Sequence, residues 1–305
     1  MEFLYILEKI RVPVINEFML LITTLGEETA FLMIAMILFW CVDKYVGYYT
    51  LSVGFIGTIG NQFLKLWFRI PRPWVLDENF TILEQAKEAA SGYSFPSGHT
   101  QSAVGTFGSI AYTTKKNSIR WVAIVIAFLV AFSRMYIGVH TPLDVGVSVV
   151  IAVALIVVLR PLVLGCNHKY IPVLLGVMLV LAAGFLCFVE FYHFPADIDP
   201  HNYQSGFKNA YTLLGALLGM ICVYIADEKW IKFSTKAVWW AQVLKVILGL
   251  ALVLLVKSGT KGLLNLLFGE FVGRSVRYFL VVVTAGAVWP LSFRWFSQLG
   301  RKESK

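Results

Sequence analysis

Long apolar runs separated by short polar stretches dominate this chain. Nine of them read as membrane-spanning helices, at about 28–43, 46–67, 98–114, 119–138, 143–163, 171–190, 207–226, 237–256 and 277–294. Lipid offers the backbone no hydrogen-bond partners, so a spanning segment is a helix of roughly 20 mainly apolar residues. Residues 13–26, PVINEFMLLITTLG, are apolar but too short to span, and read as an interfacial or re-entrant helix. The pattern predicts an all-α, polytopic membrane helical bundle of about nine transmembrane helices.

Composition agrees with that class. Of 305 residues, 58% are hydrophobic and 14% charged, against about 25% charged in ordinary globular domains. The net charge of +8 is accounted for by Lys and Arg at helix ends and in short loops, and calls for no nucleic acid. The four cysteines (Cys41, Cys166, Cys187, Cys222) are scattered without metal or redox spacing and read as soft core residues. The N-terminus lacks the basic start, apolar stretch and small-residue cleavage site of a signal peptide, so the first membrane helix is expected to direct insertion.

Lys and Arg also suggest an orientation. With the C-terminus inside, Lys44, KKNSIR at 115–120, Arg160, Lys169, DEKWIKFSTK at 227–236 and the tail lie inside. Residues 68–97, 139–142, 191–204 and 257–276 then form outer loops. Lys257, Lys261, Arg274 and Arg277 run against the rule, because they fall outside.

Three polar clusters share that outer side: KLWFRIPRP (Lys65 to Pro73), PSGH (Pro96 to His99) and SRMYIGVHTPLD (Ser133 to Asp144). Ionisable groups near membrane helices are costly and point to function. Lys65, Arg72 and Arg134 are three cations suited to a tetrahedral dianion. Gly98 and Ser97 stand where the third span begins, and free N–H groups at a helix start bind phosphate. His140 and Asp144, four apart, would share a face if helical, the carboxylate aiming the imidazole as a nucleophile. His99 would protonate the leaving oxygen and then take a proton from water. The cations themselves stabilise the charge of the transferring group, so the residues call for no metal and no cofactor.

These motifs resemble those of the type-2 phosphatidic acid phosphatase (PAP2) superfamily. Lys65 with Arg72–Pro73 after six residues matches its first motif, Pro96-Ser97-Gly98-His99 its second, and Ser133-Arg134, His140 and Asp144 its third. The resemblance covers about residues 15–165 and implies a compact helical core. It further implies a phosphohistidine on His140, His99 as acid/base, and phosphate ligation by Lys65, Arg72, Ser97, Gly98 and Arg134. The implied organisation is an interfacial segment over 1–27, a catalytic core over 28–165 and additional transmembrane helices over 166–305. That length resembles the sphingosine-1-phosphate phosphatase and glucose-6-phosphatase branches.

The expected activity is metal-independent hydrolysis of a lipid phosphate monoester or pyrophosphate, in a multi-pass protein whose site faces the extracytoplasmic side. Its partners are the bilayer and the lipid phosphate substrate. A sugar-phosphate phosphatase, or a lipid-phosphate transporter or regulator on the same scaffold, is the alternative.

Several other residues receive a structural reading. Glu27 and Glu28 favour the first turn of a helix. His193, Asp197, Asp199 and His201 read as a solvated loop rather than a zinc site. Lys245, mid-span, needs a buried partner such as Glu190. Gly215 and Gly219 form a small-xxx-small pair for helix packing. Trp74, Tyr93, Trp239, Trp240 and Trp295 are assigned to the interfacial aromatic belt.

Overall fold

The structure is a computed structural model that describes residues 1–299 except 88, 89, 91, 166, 167 and 197. Every regular element among the described residues is helical, with no strand. Among the described residues six helices are long and apolar enough to cross a membrane, or seven if Pro13–Thr24 and Glu28–Val42, which bend by 55° at their junction, form one span. The nine expected spans also counted Lys44–Phe68 and Gly98–Thr113, which are not among these six. Both carry the polar residues of the clusters above, and the second is 16 residues long.

The chain divides into two compact units interleaved along the sequence. The first comprises Met1–Ile34, Tyr49–Pro161 and His193–Gly206. It contains α1 (Glu2–Lys9), α2 (Pro13–Thr24), the start of α3 (Glu28–Ile37), most of α4 (Lys44–Phe68), the single turn α5 (Pro73–Leu76), α6 (Gly98–Thr113), α7 (Asn117–Tyr136) and most of α8 (Pro142–Leu164). Proline stands at the first helical position of α2, α5 and α8, where its missing N–H costs nothing. Ala103, Val104, Phe107, Ala111, Ala123, Ala127, Val130 and Ala152 build a core between α6, α7 and α8. Alanines at these positions bring the helices close. At Gly54, a Cβ would stand 2.3 Å from the Phe31 ring.

Residues Ala35–Tyr48, Leu162–Tyr192 and Phe207–Lys305 form the second unit. It holds α9 (Ile171–Phe191), most of α10 (Pro200–Ala226), α11 (Trp239–Gly259), α12 (Lys261–Val283) and α13 (Phe293–Gln298). Gly215 and Gly219 do bring two helices together: a Cβ on Gly215 would lie 2.0 Å from the Ser275 carbonyl oxygen, and one on Gly219 2.9 Å from that of Phe279.

Some expectations change here. The outer loop expected over 257–276 is helical almost throughout, because α11 runs to Gly259 and α12 starts at Lys261. The reversal sits instead at Gly269, whose φ of 77° only glycine adopts readily; α12 folds back there, and Gly273 packs on the Leu264 carbonyl. Lys245 is fully buried, but its partner is not Glu190. Its Nζ donates to the carbonyls of Trp40 (3.0 Å) and Thr235 (3.2 Å) and lies 4.3 Å from the Phe293 ring centroid, while Glu190 accepts from the Tyr211 hydroxyl at 2.8 Å. Cys187 and Cys222 are exposed rather than core residues; Cys166 lies outside the described residues.

Candidate active site

The first unit brings the three polar clusters together. Lys65, in the last turn of α4, donates from Nζ to the Tyr93 carbonyl. Arg72, just before α5, donates from Nε to the Gly92 carbonyl at 2.9 Å and from Nη1 to that of Val139 at 2.8 Å. The same Nη1 stands 2.9 Å from Nε2 of His140. Arg134, in the last turn of α7, donates from Nη1 to Thr23 Oγ1 at 2.5 Å, and its Nε is buried without a hydrogen-bond partner among the described residues. Arg72, Arg134, His140 and Asp144 are 6%, 3%, 1% and 2% exposed, so their charges interact through protein rather than water.

His140 lies in the turn between α7 and α8, within electrostatic range of Arg72, Arg134, Lys65 and His99. Burial first, and these charges after it, push its pKa well below the usual 6.5, which keeps the ring neutral at neutral pH. An arginine can only donate, so Nε2, facing Arg72, is the acceptor and the ring proton sits on Nδ1. That nitrogen faces Asp144 Oδ2 and Ser94 Oγ, each at 3.5 Å. Burial also lowers Arg72, to about 10, which leaves it charged at neutral pH.

Asp144 has more than one task. Its Oδ2 accepts from Ser94 Oγ at 2.6 Å and from the Thr141 N–H at 2.8 Å, while Thr141 Oγ1 accepts from the Asp144 N–H at 3.3 Å. The reciprocal pair is a capping box at the start of α8. His140 precedes that helix, so the four-residue spacing acts through the capping turn and not along a helical face. The contact with His140 is longer than an ordinary hydrogen bond.

Ser97 is the N-cap of α6. Its Oγ accepts from the Thr100 N–H at 3.4 Å and from Thr100 Oγ1 at 2.9 Å. Gly98 opens the helix, and a Cβ there would lie 3.7 Å from Asn61 Oδ1. His99 follows in the first turn, within electrostatic range of Arg134, Arg72 and Lys65. The backbone of His99 packs against Gly26. The neighbouring Glu27 is exposed but close enough to act on Arg134 electrostatically.

Five contributors escaped the sequence reading. Ser94 joins Asp144 and His140. Thr23 holds Arg134. Asn61, one turn before Lys65 on α4, is 3% exposed, and both polar atoms of its amide lack a hydrogen-bond partner among the described residues. Tyr93, assigned to the aromatic belt, offers its carbonyl to Lys65. Asn202 comes from His193–Gly206, about sixty residues beyond the last motif. Its Oδ1 accepts from the Tyr93 N–H at 2.9 Å, and a Cβ on Gly92 (φ 93°) would come within 2.8 Å of the same atom. One loop thus carries the carbonyls that hold Lys65 and Arg72, and Asn202 braces it. A cavity of about 480 Å³ opens beside Arg72, lined also by Phe68, Arg69, Pro71, Val75, Gly92, Tyr93, Asp199 and Asn202.

Trp74, another aromatic assigned to the belt, is half-buried, with Arg72 Cζ 5.9 Å from its ring centroid. Among the described residues no group of three or more His, Cys, Asp or Glu could hold a metal ion; Asp197 lies outside them. Asp199 caps α10, its Oδ1 accepting from the Asn202 N–H at 2.8 Å.

Comparison with known proteins identifies the family. The profile of the PAP2 superfamily matches residues 44–167, and that of the PAP2 superfamily phosphatase transmembrane extension matches 211–302. Phosphatidylglycerophosphatase B of Bacillus subtilis is 34% identical over 149 residues, 45% of this chain and 69% of that protein. The chain belongs to the PAP2 superfamily. It is similar also to the undecaprenyl-diphosphatase of Bacillus subtilis, 35% identical over 100 residues, 33% of this chain and 49% of that one. A probable sphingosine-1-phosphate phosphatase of Dictyostelium discoideum is 29% identical over 214 residues, 65% of this chain and 50% of that one. The chain thus spans about half the length of these last two relatives. No solved structure matches it. The superfamily match covers Lys65, Arg72, Ser97, Gly98, His99, Arg134, His140 and Asp144; Asn202 falls between the two matched regions.

Proposed function

We propose that this PAP2 superfamily member is an integral-membrane phosphatase that hydrolyses a lipid phosphate monoester or pyrophosphate through a phosphohistidine. One observation carries the reading: three cations, Lys65, Arg72 and Arg134, surround a buried, neutral His140 whose Nε2 lone pair faces the Arg72 fork. Nε2 attacks phosphorus and the bond to the leaving oxygen breaks, with His99 giving that oxygen its proton. Water then attacks the phosphohistidine, His99 takes the proton from water, and the P–N bond breaks to return His140 and release phosphate. The three cations and the N–H groups opening α6 bear the charge of the phosphoryl oxygens in both steps. The charge work of a metal ion is thereby assigned to side chains.

The printed functions of the relatives, a phosphatidylglycerophosphatase, an undecaprenyl-diphosphatase and sphingosine-1-phosphate phosphatases, support a lipid substrate. The distribution of Lys and Arg supports a site on the extracytoplasmic side.

The test is phosphate release by purified wild type and His140→Ala from phosphatidate, phosphatidylglycerophosphate, undecaprenyl pyrophosphate, sphingosine 1-phosphate and glucose 6-phosphate. Release from a lipid phosphate, lost in the variant, is expected. Release from none of them by a folded wild type would sink the enzyme reading, and release from glucose 6-phosphate alone would replace the lipid substrate with a sugar phosphate.

A further inference from the structure

At one place in the second unit three cations gather with no described acid paired to them. Lys257 stands in the last turn of α11, and Arg274 and Arg277 lie on the part of α12 after Gly269. All three converge on one ring. Lys257 Nζ is 5.8 Å from the Tyr278 ring centroid, Arg274 Cζ 5.4 Å and Arg277 Cζ 5.7 Å. Arg274 is fixed from one side, its Nε donating to Thr212 Oγ1 at 2.6 Å.

Arg277 is 6% exposed, and its buried Nε and Nη1 have no hydrogen-bond partner among the described residues. No described carboxylate pairs with any of the three cations; Glu270, on the same helix, pairs with Lys208 at 3.1 Å. A tyrosine ring attracts cations but carries no net charge. A buried guanidinium is expected to have a counter-charge, and the described residues supply none. The residues are also those that break the positive-inside pattern of the sequence.

We propose that Lys257, Arg274 and Arg277 bind a phosphate group, either the headgroup of a membrane phospholipid or free phosphate. Two guanidinium forks and an ammonium suit an anion with several oxygens, as phosphate has. Helix ends at the membrane edge meet the lipid phosphates. The proposal uses no residue of the first unit, so its failure leaves the phosphatase reading intact.

The test compares the full-length wild type with Arg277→Gln and Lys257→Gln in a non-ionic detergent. Phosphatidylglycerol is the first probe; as a phosphodiester it offers no monoester to the proposed activity. Native mass spectrometry should find wild type retaining one more phosphatidylglycerol than either variant, with affinity about tenfold weaker in Lys257→Gln and retention of phosphatidylcholine unchanged. Inorganic phosphate in lipid-free micelles is the second probe. A larger rise in the melting midpoint of wild type than of Lys257→Gln means that any phosphate group is accepted. A response to phosphatidylglycerol alone means that a lipid headgroup is bound. Phosphate held by the first unit is common to all three proteins and cancels in the comparison. Equal responses of wild type and variants to both probes, or parallel loss of phosphatidylcholine, overturn the proposal. Should Arg277→Gln fail to fold, half-buried Lys257 carries the test.

Discussion

Arg72 donates from Nη1 to Nε2 of His140 at 2.9 Å. The bond fixes the imidazole as an acceptor on that side, places its proton toward Asp144 and Ser94, and sets a cation proposed to bind phosphate against the proposed nucleophile.

Removing that cation should cost more than binding. With Arg72→Gln, kcat/KM should fall by about a hundredfold or more, the range for losing one donor to a developing negative charge. Steady-state kinetics on the best lipid phosphate checks this. A change below threefold would take Arg72 out of the chemistry.

The pH dependence follows from His140. Its folded pKa lies well below 6.5 because of burial and the surrounding cations. His140 therefore stays neutral as pH falls through 6.5, and kcat/KM should show no acid limb there from this group. Below the unfolded value the unfolded chain binds the extra proton, so stability falls as pH drops from about 6.5 and recovers above it. Arg72→Gln should raise the pKa of His140. Histidine NMR across pH 4–8 in wild type and variant reads both; an ordinary His140 titration in wild type would overturn the argument.

Asn202 should act as a positioning residue. Asn202→Ala removes the acceptor that braces the Gly92–Tyr93 carbonyls under Arg72 and Lys65, and should weaken inhibition by vanadate and lower kcat/KM by roughly tenfold, the scale of one hydrogen bond. Asn202→Asp keeps an acceptor oxygen and should restore much of the loss. Equal damage by both substitutions would assign Asn202 a merely structural part.

Helix packing in the second unit is tested at Gly215. Its missing Cβ would lie 2.0 Å from the Ser275 backbone oxygen, which cannot rotate away as a side chain can. Gly215→Ala should destabilise by about 1–3 kcal/mol, read as a lower melting midpoint in detergent. An unchanged midpoint would show that the helices separate freely.

A chelator should leave phosphate release intact, because side-chain cations are assigned the charge work. Activity lost on chelation and restored by a divalent ion would revive the His193–His201 loop as a metal site.

Sequence by itself determined what depends on nearest neighbours along the chain. Apolar runs specify helices in lipid whatever packs against them, and the motif residues keep their order and spacing. Lys65, Arg72, His99, Arg134, His140 and Asp144 were therefore legible as candidates, and Gly215 and Gly219 as packing residues. The capping role of Asp144 was present in Thr141-Pro142-Leu143-Asp144 but is separated from its role beside His140 only by the fold.

Tertiary structure decided which distant groups meet those residues. Ser94 between Asp144 and His140, Thr23 under Arg134 and Asn202 under the Gly92–Tyr93 carbonyls leave no periodic trace, because one hydrogen bond needs one atom in place and no pattern around it. Lys245 shows the same limit. A buried lysine announces the need for partners, but backbone carbonyls exist at every position, and only packing selected those of Trp40 and Thr235.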